Sequence, residues 1–491
     1  MTAEKNIHRY DRQNLIRGWD QEKLTRGIVT IIGSDALARY VALPLAALGV
    51  GTIRIIDSSE GEEKDRLLDI PLRGDSRAKT LEDALRRINP EIEVMGINSD
   101  LTARAAQYFL EGSDVVVDAT NDITSKSHAL EYHLRTGTPL FSASSDTTKG
   151  KIVMANGDPQ PIILMPMFRG AEQGDLVSLE LGGVLAEEVK KVLMQQGSPL
   201  AIIYNYNLES NERFGFASDR ELRETADAFR GKKILMVGAG ALGCFLGPAT
   251  ITSMSPGRID IMDYDTIEDH NLNRQVCFYD AVGRLKAERL AQTLEAMSRG
   301  GTEIRALVEK FTEEFQPDVE YDLIFDAVDS FFTKAILHNY AKEHGIPIIS
   351  GGTDYRASTV MVYKPGETSC FDCQINLTEL AVKAEIIRRT SCLQAPDPSV
   401  IMTNQVAGAL MVAEARSVLR PDLYGRPVNG PIRFISDFDS RGGVNELESV
   451  CSCHTRGPSR IELPDPERVR IEEREVDGQI VKEVYIDGKR L

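Results

Sequence analysis

The stretch Ile234-Leu-Met-Val-Gly238-Ala-Gly240-Ala-Leu-Gly243 decides the fold. Its apolar residues read as a buried strand. The glycines behind them permit a tight turn and let backbone N–H groups approach a phosphate at a helix N-terminus. A helical stretch follows, then Arg258-Ile-Asp-Ile-Met-Asp263, a second apolar strand closed by an acid. Strand, helix and strand in this order imply a right-handed crossover within a parallel sheet.

The same order occurs earlier, in Ile28-Val-Thr-Ile-Ile-Gly33 and Thr52-Ile-Arg-Ile-Ile-Asp57. Two more landmarks repeat downstream. Asp114-Val-Val-Val-Asp-Ala-Thr120 matches Asp322-Leu-Ile-Phe-Asp-Ala-Val328, and Gly137-Thr-Pro-Leu-Phe-Ser142 matches Gly345-Ile-Pro-Ile-Ile-Ser350. Four landmarks in one order mark an internal duplication. A chain of 491 residues is also too long for one ordinary core. The expected fold is α/β, with two tandem Rossmann-like, doubly wound domains at 1–215 and 216–455. They join in the polar stretch near 206–230, and a tail at 456–491 carries one strand, Val481–Ile486.

The two copies differ where chemistry would occur. The second keeps Gly238, Gly240 and Gly243, whereas the first reads Gly33-Ser-Asp35-Ala-Leu-Ala38. Asp35 puts a carboxylate where phosphate would lie, and like charges repel. Past Asp263 comes Tyr264-Asp265-Thr-Ile-Glu-Asp-His-Asn271-Leu-Asn-Arg274-Gln275, then Gly283-Arg-Leu-Lys286. Asp263 is placed to take a ribose hydroxyl. Arg274 and Lys286 supply the cations that nucleotidyl transfer requires. Asp329 offers a carboxylate for magnesium. Hydride transfer by a NAD-dependent dehydrogenase would need neither these cations nor that acid, and a non-catalytic scaffold would not need the intact glycine turn.

Bulk properties agree with an enzyme. The chain is 42% hydrophobic and 27% charged, with a formal net charge of −17. An acidic chain is a poor nucleic-acid binder, because phosphate neutralisation needs a basic surface. No apolar leader and no run of membrane-spanning length is evident, so a cytoplasmic protein with no membrane partner is expected. All seven cysteines, at 244, 277, 370, 373, 392, 451 and 453, lie in the second copy. That clustering fits a metal site and a nucleophile better than a disulfide framework. Cys370-Phe-Asp-Cys373 and Cys451-Ser-Cys453 form a four-thiolate set, with His454 as a substitute ligand. Cys244 and Cys277 read as packing residues. Trp19 and Leu15 are expected to pack the N-terminal helix, and an amphipathic helix is expected from Asn404 to Leu419.

The glycine turn, the Asn-Leu-Asn-Arg-Gln segment, the Gly-x-x-Lys and the Asp-Ala-Val-Asp stretch resemble the adenylation domain of the ubiquitin-activating superfamily, the group that includes ThiF- and MoeB-type enzymes. The resemblance extends to the first copy, which begins Arg9-Tyr10-Asp11-Arg12-Gln13. It implies a fused pseudodimer, as in bacterial ubiquitin-like conjugation systems of antiviral defence. In it the inactive half, with Arg77 in place of the lysine, lends Arg12 to the ATP phosphates of the active half. It implies ATP, Mg²⁺ and a structural Zn²⁺ as cofactors, with Asp265, Asn271, Arg274, Gln275 and Lys286 around the nucleotide. Ser330 and Lys334 depart from the Asn and Arg usual after the magnesium aspartate. The resemblance further implies that Cys392, on the crossover segment after Arg388 and Arg389, takes a ubiquitin-like protein from its adenylate as a thioester for a conjugating enzyme. The alternative within the superfamily is adenylation of a sulfur-carrier protein without a thioester.

Overall fold

The computed structural model describes residues 9–61, 66–71, 74, 76–155, 168, 171–200, 203–208, 228–298, 300–390, 399–435, 443–446, 451, 463–465, 468–476 and 479–490. Repeat one contains β1 (Ile28–Ile32), β2 (Thr52–Ile56), the short hairpin β3 (Arg66–Leu67) and β4 (Ile70–Pro71), then β5 (Glu93–Ile97), β6 (Val115–Asp118), β7 (Leu140–Ser145), β8 (Lys149–Ala155) and β9 (Tyr204–Asn207). Repeat two contains β10 (Lys233–Val237), β11 (Arg258–Met262), β12 (Glu303–Leu307), β13 (Leu323–Asp326), β14 (Ile348–Thr353), β15 (Ala357–Tyr363), β16 (Ile432–Ile435) and β17 (Gly443–Glu446).

The main sheets run β5-β2-β1-β6-β7-β8-β9 and β12-β11-β10-β13-β14-β15-β16-β17. In each, the first five strands are parallel and the remainder antiparallel. The order reverses direction beside β1 in one sheet and beside β10 in the other. Ligands of open α/β sheets bind outside the strand ends at such a switch point. The parallel strands are buried on both faces, which is why they read as near-continuous apolar runs.

The repeats meet through four helices, Ala36–Leu48 and Asp175–Met194 from one, Gly243–Met254 and Ile401–Leu419 from the other. Within each repeat, close approach of its two helices is set by small residues at equivalent places. A Cβ on Gly182 would stand 2.7 Å from the Tyr40 backbone, and one on Gly408 would stand 2.9 Å from Phe245 Cβ. The equivalence continues along the helices. Glu188 accepts from Leu200 N at 2.7 Å, and Glu414 accepts from Val428 N at 3.0 Å. The helix foreseen from Asn404 begins at Ile401 and is not amphipathic, because it is buried on all sides between the repeats.

Two further expectations change. Trp19 packs against the core, but Leu15 is 50% exposed. The tail holds a three-stranded antiparallel sheet, β18 (Val469–Val476), β19 (Gln479–Ile486) and β20 (Lys489–Arg490), rather than one strand. Its inner face, including Val484, covers Val382 and Ile386 of the Leu377–Thr390 helix. Charged residues dilute the alternation of β18, and its partner supplies the pairing that its own pattern does not announce. No helix among the described residues is long and apolar enough to cross a membrane.

Candidate active site

The turn after β10 brings the sheet and the Gly243–Met254 helix to one point. Gly238 has φ +103°, and a Cβ there would lie 2.6 Å from the carbonyl oxygen of Ala327, so only glycine fits. A Cβ on Gly240 would meet nothing nearer than Gln275 Nε2 at 3.9 Å, which leaves room above the turn. Asp263, at the end of β11, accepts from Ala239 N at 2.8 Å and from Asp265 N at 2.9 Å. Burial pushes its carboxyl up, against the pull of those two hydrogen bonds.

The segment between β11 and the Lys286–Ser298 helix lies beside this turn. Asn271 turns its side-chain oxygen to Glu268 N at 2.9 Å and closes the short helical turn Asp269–Asn271. That geometry makes Asn271 a shaper of the segment that presents His270 and Arg274. Arg274 donates to His270 O at 3.0 Å and to Asn273 Oδ1 at 2.9 Å. Burial, and then Arg12, lower its pKa to about 10, while Asp329 opposes them. Lys286 is buried with its Nζ on Asp265 at 2.8 Å. Asp329 is exposed just past β13, near enough to act on Arg274 and Tyr264. Gln275 is 4% exposed and its Oε1 has no hydrogen-bond partner among the described residues. Its Nε2, rather than that oxygen, is the atom nearest Gly240.

Repeat one reaches into this segment. Arg9 donates to Leu272 O at 3.1 Å, Asn273 donates to Gln13 Oε1 at 3.4 Å, and Arg12 Nη2 lies 3.3 Å from His270 Nε2. From the β3–β4 hairpin, Asp69 pairs with Arg289 at 3.0 Å. Arg12, Arg274, Lys286 and Asp329 thus gather around one turn, although 317 positions separate the first from the last (329 − 12). The contacts of His270 with Arg12 and of Gln13 with Asn273 form the part of the arrangement that spacing alone does not reveal.

The equivalent turn in repeat one is filled by its own side chains. Arg77 pairs with Asp35 at 2.6 Å, and Gln173 Oε1 accepts from Leu37 N at 2.9 Å at the start of the helix. Gln173 also donates to Ala119 O at 2.9 Å, which locks its carboxamide over the place a phosphate would take. The Gly243–Met254 helix has no side-chain cap among the described residues. Both repeats keep a buried lysine beneath the turn. Lys126 binds Asp118 at 2.6 Å, and Lys334 binds both oxygens of Asp326 at 3.2 Å and Gly351 O at 2.7 Å. Ser330 caps the Phe331–His344 helix by accepting from Thr333 N.

The sulfur ligands of Cys370, Cys373 and Cys451 lie within 4.8 Å of one another. Three converging thiols suit a tetrahedral zinc site. Cys453 and His454 lie outside the described residues, as does Cys392. Arg388 and Arg389 both bind Glu385, holding its carboxyl down at about 2, so their charge is engaged at the end of the helix that precedes Cys392. Cys244 and Cys277 are fully buried, with Cys277 Sγ on Cys244 O at 3.3 Å, as packing residues should be.

The ThiF family profile matches residues 10–217 and again 217–441. The chain belongs to the ThiF family. Two ThiF repeats therefore account for nearly all of it. Among relatives, the Adenylyltransferase and sulfurtransferase MOCS3 of Caenorhabditis briggsae is 27% identical over 41% of this chain and 52% of its own length. SUMO-activating enzyme subunit 2 of Dictyostelium discoideum is 30% identical over 33% of this chain and 25% of its own. Molybdopterin-synthase adenylyltransferase of Escherichia coli K12 is 26% identical over 40% of this chain and 86% of its own. The chain spans about half the length of the first of these relatives. Among solved structures, E. coli MccB with succinimide aligns over 47% of this chain and 68% of that one, at 24% identity and a TM-score of 0.40.

Proposed function

We propose that the second ThiF repeat uses ATP to adenylate the C-terminal carboxylate of a ubiquitin-like protein, and that the first repeat, its partner in an intramolecular pseudodimer, completes the site with Arg12. The observation that carries this reading is the reach of Arg12 to His270, beside Arg274 and Lys286, at the one turn whose glycines survive. The names of the relatives, adenylyltransferases and a SUMO-activating subunit, support the same class of reaction.

A carboxylate resists attack because an oxide-like group must leave. Joining it to AMP supplies a better leaving group. On this reading Gly238, Gly240 and Gly243 admit the phosphates, Asp263 takes the ribose, and Gln275 donates to the nucleotide through Nε2, the atom nearest Gly240. The protein carboxylate attacks the α-phosphorus and pyrophosphate leaves. Lys286, Arg274 and Arg12 offset the charge that grows on the phosphates. For that, Lys286 exchanges Asp265 for phosphate. Asp329 would hold Mg²⁺, which supplies charge neutralisation on the same oxygens. The three thiols, with a fourth ligand from Cys453 or His454, would hold a structural Zn²⁺. About one zinc per chain by metal analysis, falling in Cys373→Ser, checks that site.

ATP–pyrophosphate exchange dependent on a ubiquitin-like protein tests the proposal, and its persistence in Asp329→Ala would remove the metal assignment. The finer step is transfer to Cys392 as a thioester for a conjugating enzyme. The relatives named as sulfurtransferases favour a second reading, in which the reaction stops at the adenylate of a sulfur carrier. A thiol-sensitive conjugate that disappears in Cys392→Ala supports the first, and adenylate release with no conjugate supports the second.

A further inference from the structure

His270 stands between two charged groups of opposite sign. Its Nε2 lies 3.3 Å from Arg12 Nη2 and its Nδ1 lies 3.2 Å from Glu268 Oε2. A guanidinium has only donors, so Nε2 must accept. The single ring proton then sits on Nδ1, facing the carboxylate, and one neutral tautomer satisfies both contacts. A second proton would set N–H against N–H and a cation against Arg12. Burial, Arg12, Arg274 and Lys286 all disfavour that proton, and Glu268 alone favours it.

The ring is also held in place from both repeats. Its turn, Asp269–Asn271, is closed by Asn271 on Glu268 N, and the following carbonyl, Leu272 O, is tied to Arg9. A side chain this restrained can orient what it binds.

We propose that His270 is a positioning residue, whose neutral imidazole accepts from Arg12 and fixes that guanidinium toward the nucleotide phosphates of the other repeat. The inference rests on the nucleotide site proposed above. It adds a pH dependence to it: charging His270 breaks its hydrogen bond with Arg12 and repels the guanidinium, so acidification weakens the grip on phosphates.

The test uses the full chain, calorimetric titration with magnesium and the ATP analogue AMPCPP, and adenosine as a control that lacks phosphates. Arg12→Ala and His270→Ala should each weaken AMPCPP binding roughly tenfold, the worth of a charge-assisted contact. The double variant should bind no worse than Arg12→Ala, since His270 acts through Arg12. His270→Gln, whose amide oxygen accepts without titrating, should stay within about twofold of wild type. Adenosine affinity should be the same throughout, which also reports that each variant is folded. Moving from about pH 7.5 to about pH 5.5 should weaken wild type more than His270→Gln. Wild-type affinity in His270→Ala, or additive losses in the double variant, would overturn the inference. A wild-type chain that binds no AMPCPP would instead overturn the nucleotide reading beneath it.

Discussion

The two glycine turns share a scaffold and differ in what occupies it. Gly33 and Gly238 have nearly the same φ, +102° and +103°. Asp57 and Asp263 both bind into the turn, through Ser34 Oγ at 2.7 Å and Ala239 N at 2.8 Å. Both turns rest on a buried lysine–aspartate pair. In repeat one the anion place holds Asp35, matched by Arg77, and the helix start is bound by Gln173. In repeat two the same region holds glycines, the Nε2 of Gln275 and a helix with no side-chain cap among the described residues. A helix N-terminus attracts negative charge whether or not a ligand is used. The copy without a ligand satisfies that attraction internally, and the other leaves it open.

The comparison breaks most clearly by exchanging the occupants. Gly240→Asp, which copies Asp35, should lower ATP–pyrophosphate exchange by about 10²–10³-fold, since it sets a carboxylate against phosphate. Asp35→Gly with Arg77→Ala should leave exchange unchanged, because that turn does not serve the reaction. If the double change abolished exchange, the division of labour between the repeats would fall.

Below the turns the repeats should respond alike. Lys126→Met and Lys334→Met each strand a fully buried aspartate and should cost about 3–5 kcal/mol in urea unfolding. A loss confined to Lys334 would show that only the second pair supports the fold.

A smaller effect distinguishes the interface helices. Glu180 is fully buried, bound by Tyr204 OH, and its carboxyl is pushed up to about 8 by burial. With Gly182 matched to Gly408, its counterpart is the apolar Val406. The unfolded chain ionises this group above its ordinary value of 4.5, and the folded chain only near 8. The contribution of this group to stability is therefore greatest below 4.5 and declines as pH rises toward 8, by an amount on the order of 5 kcal/mol. Glu180→Gln should flatten that decline and exceed wild type in stability above pH 8, measured by urea unfolding across pH. The smallest effect belongs to the helix caps, Ser330 and its counterpart Asp122, which accepts from Ser125 N at 2.7 Å at the start of the Ile123–Thr136 helix: Ser330→Ala and Asp122→Ala should each cost about 1 kcal/mol.

The parts legible in the sequence were those written as local pattern. Apolar strands, glycines and terminal acids repeat at short range, and so disclose both sheets and the intact turn. The contact of Arg12 with His270 joins residues 258 positions apart and has no local trace. The Asp175–Met194 helix hides for another reason. Its Glu187–Lys190 and Glu188–Lys191 pairs look like a solvated face, yet all four residues are buried, each satisfied by a neighbour one turn away. Composition cannot distinguish charges that face water from charges that face each other. Gln173 was silent too, since its effect depends on the loop that delivers it to Leu37 N.

The contacts of Arg9, Arg12, Gln13 and Asp69 with repeat two are made within one chain. Subunits that meet by diffusion separate on dilution, whereas tethered partners face each other at a fixed effective concentration, about millimolar for a short flexible link. A site assembled this way has an occupancy set by folding rather than by protein abundance. A cell holding a handful of copies would possess as large a fraction of complete sites as one holding thousands.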